Sequence, residues 1–140
     1  MRALKTFLLA ALLLFTGACA AASPSASPQA AAPAGGYTTI SVADLKARLD
    51  SGEPLVVLDV RTPEEFTGDG HVAGATLIPL PELGQRMAEL DKDAPTACFC
   101  RSGNRSRSAC DQLAQAGFSN LVNVDGGIIA WGTAGYPIER

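Results

Sequence analysis

Residues 98–108 read CFCRSGNRSRS and join an apolar run to a pattern with helical spacing. The helical pattern begins near Arg105 and continues to Ala116, and Gly103 lies in the short polar segment between the two. This order predicts a buried strand, a tight loop and the N-terminus of a helix. We refer to residues 100–105 as the Cys100 loop.

The Cys100 loop has the features of an anion-binding site. A loop ahead of a helix can curl so that successive backbone N–H groups point inward, and the helix dipole adds positive potential there. Cys100 opens the loop, and the guanidinium groups of Arg101 and Arg105 follow closely. Such surroundings favour the thiolate, which is the reactive form of cysteine. We therefore interpret Cys100 as a nucleophile held in an anion-binding loop.

The sequence of this loop, CRSGNRS, resembles the active-site loop of the rhodanese family of sulfurtransferases. Further motifs similar to those of the family occur in the same order, at Asp59-Val60-Arg61, Glu65-Phe66, Gly70-His71-Val72-Ala73-Gly74-Ala75, Asp125-Gly126-Gly127 and Trp131. The resemblance extends from about Tyr37 to the C-terminus. It implies the single-domain form of the rhodanese fold.

The resemblance also implies a two-step transfer of sulfur. The Cys100 thiolate would attack the outer sulfur of a small anionic donor such as thiosulfate, and the resulting persulfide would pass its sulfur to a thiol or cyanide acceptor. The backbone N–H groups of Arg101, Ser102, Gly103, Asn104 and Arg105 would hold the terminal sulfur. The guanidinium groups of Arg101 and Arg105 would bind the oxyanion end of the donor. This chemistry requires no metal and no organic cofactor.

Three more polar side chains lie near the predicted site. Asp59 and Arg61 follow a short apolar run, at the edge where α/β sheets place their ligands. The resemblance implies that they border the Cys100 loop and order it by charged hydrogen bonds. His71 is the one histidine of the chain, and the resemblance implies that its turn belongs to the scaffold.

The alternation of apolar runs with helical patterns predicts an α/β fold. We expect a mainly parallel sheet of about five strands with helices on both faces. The predicted strands are 37–40, 55–58, 75–78, 96–100 and 121–124. Helices are predicted from a cap at Ser41 to about 52, from a cap at Thr62, over 81–90, over 105–116, and in a short final segment that contains Trp131.

Composition narrows the class of protein. The chain has 140 residues and a formal net charge of -3, which suits one modest domain and gives no support for nucleic-acid binding. Its 4 cysteines are Cys19, Cys98, Cys100 and Cys110. We expect Cys98 and Cys110 to be small buried apolar residues, because their spacing does not match that of a zinc site.

The first 20 residues have the three parts of a secretion signal: a positive start, a short apolar core and small residues. Ordinary signal peptidase would cut after Ala20. Residues 16–19 also resemble a lipobox, although Thr16 replaces its usual large aliphatic residue, and we favour lipidation of Cys19 because a cysteine here is otherwise unexpected. Residues 21–36 then form an Ala/Ser/Pro/Gly linker before the domain at 37–140. These features predict a periplasmic or cell-envelope protein, tethered to a membrane through Cys19 if the lipobox is used and released if signal peptidase cuts after Ala20.

Two other functions fit parts of the pattern. Phosphatases and arsenate reductases of related layout separate their cysteine and arginine by five residues, whereas four residues lie between Cys100 and Arg105. The shorter loop favours a sulfur atom over a phosphate. A non-catalytic persulfide carrier or a redox sensor would use the same reactive cysteine. Turnover of thiosulfate with cyanide distinguishes the enzyme from the carrier.

Overall fold

A computed structural model of the chain describes residues 36–140. The predicted secretion signal, Cys19 and all but the last residue of the predicted linker lie outside these residues. Within the described part, no helix is both long enough and apolar enough to cross a bilayer.

The described residues form alternating strands and helices. The strands are β1 (Tyr37–Ile40), β2 (Val56–Asp59), β3 (Thr76–Leu77), β4 (Thr96–Phe99) and β5 (Leu121–Val124). The α-helices are α1 (Val42–Asp50), α2 (Pro63–Gly68), α3 (Leu83–Arg86), α4 (Asn104–Gln115) and α5 (Gly127–Thr133). The predicted order of elements is therefore confirmed.

Local capping fixes where the first two helices begin. Ser41 caps α1, with Asp44 as the reciprocal partner of a capping box, and Thr62 caps α2 in the same way with Glu65. Pro63 occupies the first turn of α2, where its missing N–H group costs nothing. Both starts were predicted from the sequence.

All five strands are parallel, in the order β1-β5-β4-β2-β3. Cys98 of β4 is in register with Leu58 of β2 on one side and with Asn123 of β5 on the other. β4 is thus the middle strand. The Cys100 loop leaves its carboxyl end, which is the edge where open parallel sheets place their sites.

Alternate side chains of the central strands enter two separate cores. On one face, Val57, Ala97 and Phe99 pack with Val42 and Leu45 of α1 and Trp131 of α5. On the other face, Leu58 and Cys98 pack with Leu83 of α3 and Leu113 of α4. Helices therefore cover both faces of the sheet, as predicted, and this explains why the strands are continuously apolar.

The predicted helix over 81–90 is the main error of the sequence analysis. This segment contains only four α-helical residues, α3, with 3₁₀ turns at Leu80–Glu82 and Met87–Glu89 on either side. No side chain caps α3, and Gly84 lies inside it, where glycine disfavours the helix by its backbone entropy. The apolar spacing of this segment was therefore a poor guide to its backbone.

Replacing Gly84 by alanine tests this explanation. Gly84 is exposed, and an added Cβ would meet no atom within 4 Å. We expect Gly84→Ala to raise the free energy of unfolding by about 0.5–1 kcal/mol, because the unfolded chain loses freedom. Urea denaturation of the two proteins measures this difference. A lower stability for the variant would contradict the explanation.

Candidate active site

The backbone of the Cys100 loop points its amides at one sulfur atom. Gly103 has a φ of 101° and serves as the N-cap of α4. Its N–H group donates a hydrogen bond to Cys100 Sγ at 3.1 Å. The positive φ is the region that glycine adopts most readily, so the turn explains why a glycine stands here. The cysteine itself retains only 1% of its exposure, and its sulfur lies inside the loop.

Opposing effects set the acidity of the Cys100 thiol. Burial raises its pKa, but the contact with the Ser106 side chain and the hydrogen bonds from the amides of Ser106, Ser102 and Gly103 lower it. The balance is a pKa below the usual value for cysteine. Hydrogen bonds to the ionised form stabilise the thiolate, so the surroundings favour the nucleophilic form.

A chain of buried polar groups that the sequence analysis missed leads to the sulfur. Ser106 Oγ lies 3.4 Å from Cys100 Sγ, and the Ser106 hydroxyl donates to Asn123 Oδ1 at 2.7 Å. Asn123 Nδ2 lies 3.4 Å from Thr39 Oγ1. Ser106 and Asn123 are fully buried. Asn123 was the signal in the sequence that could have pointed to this chain of polar groups. It is the one polar residue of the apolar strand Leu121–Val124, and a buried amide needs hydrogen-bond partners.

The N-terminus of α5 holds the start of the loop. The Ile128 N–H group donates to the Cys100 carbonyl at 2.9 Å, and the Ile129 N–H group donates to the Arg101 carbonyl at 3.2 Å. Gly127 allows this approach, because a Cβ there would overlap the Cys100 carbonyl oxygen and lie 2.6 Å from the Arg101 carbonyl carbon. With these carbonyls satisfied by α5, the amides that follow are free to face the sulfur.

Asp59 and Arg61 form a fully buried ion pair with a distance of 2.7 Å between Asp59 Oδ2 and Arg61 Nη2. The guanidinium also donates to the carbonyls of Gly70 at 2.9 Å and Glu65 at 3.3 Å. These bonds tie the end of β2 to α2 and to the turn after it. Asp59 is in register with Phe99, the residue before Cys100. The side-chain hydrogen bonds of the pair are made within the pair and to α2 and the turn after it.

The two arginines of the loop have different surroundings. Arg101 is exposed, whereas Arg105 is paired with Glu65 of α2 by two hydrogen bonds of 2.7 Å. The side chains of Ser102 and Asn104 are exposed and leave their backbones to form the loop. In the sequence Glu65 is part of the Glu65-Phe66 motif, and its contact with Arg105 was not predicted.

The other two cysteines of the described part have a contrasting environment. Cys98 and Cys110 are fully buried in the same apolar core. Contact with Cys110 and burial raise the pKa of the Cys98 thiol well above its usual value. Among the described cysteines Cys100 thus combines burial with stabilisation of its charge, whereas Cys98 stays protonated.

His71 stacks on Phe66 with ring centroids 3.8 Å apart, in the turn after α2.

Comparison with known proteins gives a consistent result. Residues 41–134 match the rhodanese-like domain. A sulfurtransferase of Allochromatium vinosum is 40% identical over 94 residues, which are 67% of this chain and 87% of that protein. Thiosulfate sulfurtransferase GlpE of Pseudomonas entomophila is 39% identical over 87 residues, which are 62% of this chain and 78% of that protein. The crystal structure of a rhodanese-related protein from Thermoplasma volcanium superposes with a TM-score of 0.67 at 39% identity, covering 74% of this chain and 98% of that one.

Removing the Ser106 hydroxyl should make Cys100 less acidic. We expect Ser106→Ala to raise the Cys100 pKa and to slow its alkylation by iodoacetamide several-fold near pH 7, because less thiolate is present at that pH. The pH dependence of alkylation, followed by mass spectrometry of the Cys100 peptide, measures the shift. Ser108→Ala is the matched control, since Ser108 is an exposed serine of the same helix. An unchanged pH profile in Ser106→Ala would contradict this role.

A side chain at Gly127 should open the loop. We expect Gly127→Ala to lower the free energy of unfolding by about 2–4 kcal/mol, because the Cβ would overlap the backbone at Cys100. The same variant should lose the acidity of Cys100, as the amides move away from the sulfur. Urea denaturation and alkylation rates measure the two effects, and Gly84→Ala controls for loss of a glycine elsewhere. Retention of both properties would show that α5 does not hold the loop.

Proposed function

The chain belongs to the rhodanese-like family, and on that premise we propose that it transfers sulfur in two steps through Cys100. In the first step, the Cys100 thiolate attacks the outer sulfur of an anionic donor such as thiosulfate. A new S–S bond forms as the donor's S–S bond breaks, and sulfite leaves with the electron pair. Cys100 is left as a persulfide whose terminal sulfur carries the negative charge.

In the second step, an acceptor thiolate or cyanide attacks the terminal sulfur of this persulfide. The S–S bond to Cys100 breaks, and the Cys100 thiolate leaves. The same environment serves both steps, because the thiolate is a reactant in the first and the leaving group in the second. Groups that stabilise its charge therefore promote both attack and release.

The observation that carries this proposal is the set of hydrogen bonds around Cys100 Sγ. The Gly103 amide points at the sulfur at 3.1 Å, and Ser106 Oγ is 3.4 Å away. The amides of Gly103 and Ser102 suit a negative charge on the thiolate or on the terminal sulfur of a persulfide. We assign the amides of residues 101–105 to this role, and the exposed Arg101 to the oxyanion end of the donor.

The geometry gives less support to a phosphatase. A phosphatase loop must surround a tetrahedral oxyanion and present a free guanidinium to it. Here four residues separate Cys100 from Arg105, and two nitrogens of that guanidinium are already bonded to Glu65. The loop is thus better suited to one sulfur atom than to a phosphate group.

We also propose that this chemistry takes place in the periplasm or cell envelope, with the domain tethered through a lipidated Cys19. The features that support this are the signal-like first 20 residues and the linker composition of residues 21–36. The acceptor would then be a thiol available outside the cytoplasm.

Exchange of single cysteines tests the assignment. We expect Cys100→Ser in the full chain to abolish formation of thiocyanate from thiosulfate and cyanide, because the hydroxyl cannot carry the sulfane sulfur. Cys110→Ser should retain most activity, since Cys110 lies in the apolar core. Equal loss in both variants would contradict the roles. A stable persulfide on Cys100 without turnover would instead identify a sulfur carrier.

A further inference from the structure

Arg105 is held by the carboxylate of Glu65. Its Nη1 lies 2.7 Å from Glu65 Oε2, and its Nη2 lies 2.7 Å from Glu65 Oε1. Such a two-point contact is the strongest geometry between these groups. The side chains are only 34% and 25% exposed, so water screens this pair less than it would screen one on the open surface. The positive charge of Arg105 is therefore largely neutralised.

Glu65 is well fixed in this position. It is the third residue of α2, and its carboxylate also accepts a hydrogen bond from the Thr62 amide at 3.1 Å. The hydrogen bond from Arg105 lowers the pKa of Glu65 to about 2. Glu65 thus remains negatively charged at every pH at which the thiol of a cysteine is reactive.

Two more carboxylates, those of Asp59 and Asp125, offset positive charge near the loop. Arg61 is paired with Asp59 inside the protein. The carboxylate of Asp125 faces the loop from the turn after β5, since a Cβ at Gly103 would lie 3.0 Å from Asp125 Oδ1. Within residues 36–140, Arg101 takes part in none of the ion pairs. The approach to Cys100 is therefore much less positive than the arginines in the sequence suggest.

We propose that Glu65 is a specificity-determining residue of the sulfur transfer. By holding Arg105, it disfavours dianionic donors such as thiosulfate relative to donors with a single negative charge, namely thiosulfonates and small persulfides. This inference rests on the proposed function. A thiosulfonate donates in the same way as thiosulfate: the Cys100 thiolate bonds to its outer sulfur, the donor's S–S bond breaks, and a sulfinate leaves with the electron pair.

The charge of the donor is the variable that tests the proposal. Thiosulfate carries two negative charges and methanethiosulfonate carries one, while both present a terminal sulfur next to an oxidised one. We expect Glu65→Gln in the full chain to raise kcat/KM by about five-fold for thiosulfate and about two-fold for methanethiosulfonate, because one added positive charge attracts a dianion twice as strongly. Both gains should shrink as salt concentration rises.

Two control variants isolate the effect. Glu64→Gln removes the same charge one residue away, and Glu64 is an exposed residue that makes no ion pair with Arg105. This variant should leave the ratio of the two kcat/KM values unchanged. In an Arg105→Gln background, Glu65→Gln should bring the ratio of the two kcat/KM values back only to about that of the wild type, since the guanidinium that it would release is absent.

Three results would overturn the proposal. The first is an equal fall for both donors in Glu65→Gln, which would mean that Glu65 only supports the loop. The second is no change for either donor in Glu65→Gln, and the third is the same shift in Glu64→Gln.

Protection of Cys100 from iodoacetamide by inorganic sulfate gives a second measurement that needs no turnover. We expect sulfate to protect Glu65→Gln at a several-fold lower concentration than the wild type. If the wild type uses neither donor, the proposed function fails, and the sulfate result alone decides whether Glu65 restrains Arg105.

Discussion

The convergence of backbone amides on Cys100 Sγ is the interaction on which the rest of the site depends. Amides can face inward only if the carbonyls of the same loop are satisfied elsewhere, since every buried peptide group needs a partner. The first turn of α5 provides those partners for Cys100 and Arg101. The loop is therefore held from two sides, by α4 as its own continuation and by α5, whose N–H groups donate to the carbonyls on its outward side.

The surroundings of this loop carry less free positive charge than the number of its arginines suggests. Arg61 and Arg105 are each bonded to a carboxylate, and neither is a free positive charge beside the sulfur. The thiolate is favoured mainly by neutral groups, namely backbone amides and the Ser106 side chain. Dipoles at short range stabilise one small anion without making the surroundings attractive to every large one. A site built in this way is consistent with the proposed preference for donors of low charge.

The three described cysteines show how position in the fold sets reactivity. Cys98 and Cys100 are two residues apart and contribute to the same apolar core, yet the pKa of Cys98 is raised and that of Cys100 is lowered. Cys98 lies within a strand, where the backbone amides are used by neighbouring strands. Cys100 lies just beyond the strand, where the amides of the following turn are available to its sulfur. The end of β4 is thus the boundary between an inert thiol and an acidic one.

The sequence by itself determined the strand, loop and helix around Cys100, the caps at Ser41 and Thr62, and the parallel α/β class. These features depend on residues a few positions apart, so periodicity and local hydrogen bonding are sufficient to predict them. The broken segment over 81–90 shows the limit of this approach, since apolar spacing there did not outweigh an uncapped start and an internal glycine.

Only the tertiary structure decided which groups surround the sulfur and which charges are free. Ser106 meets Asn123 because β5 lies beside β4, and Arg105 meets Glu65 across 40 residues of chain because α2 ends up beside the start of α4. Such partners are set by strand order and helix placement, which bring together groups that the sequence keeps far apart. Hydrogen-bond and ion-pair energies depend on distances of a few ångströms, and those distances exist only in the folded chain.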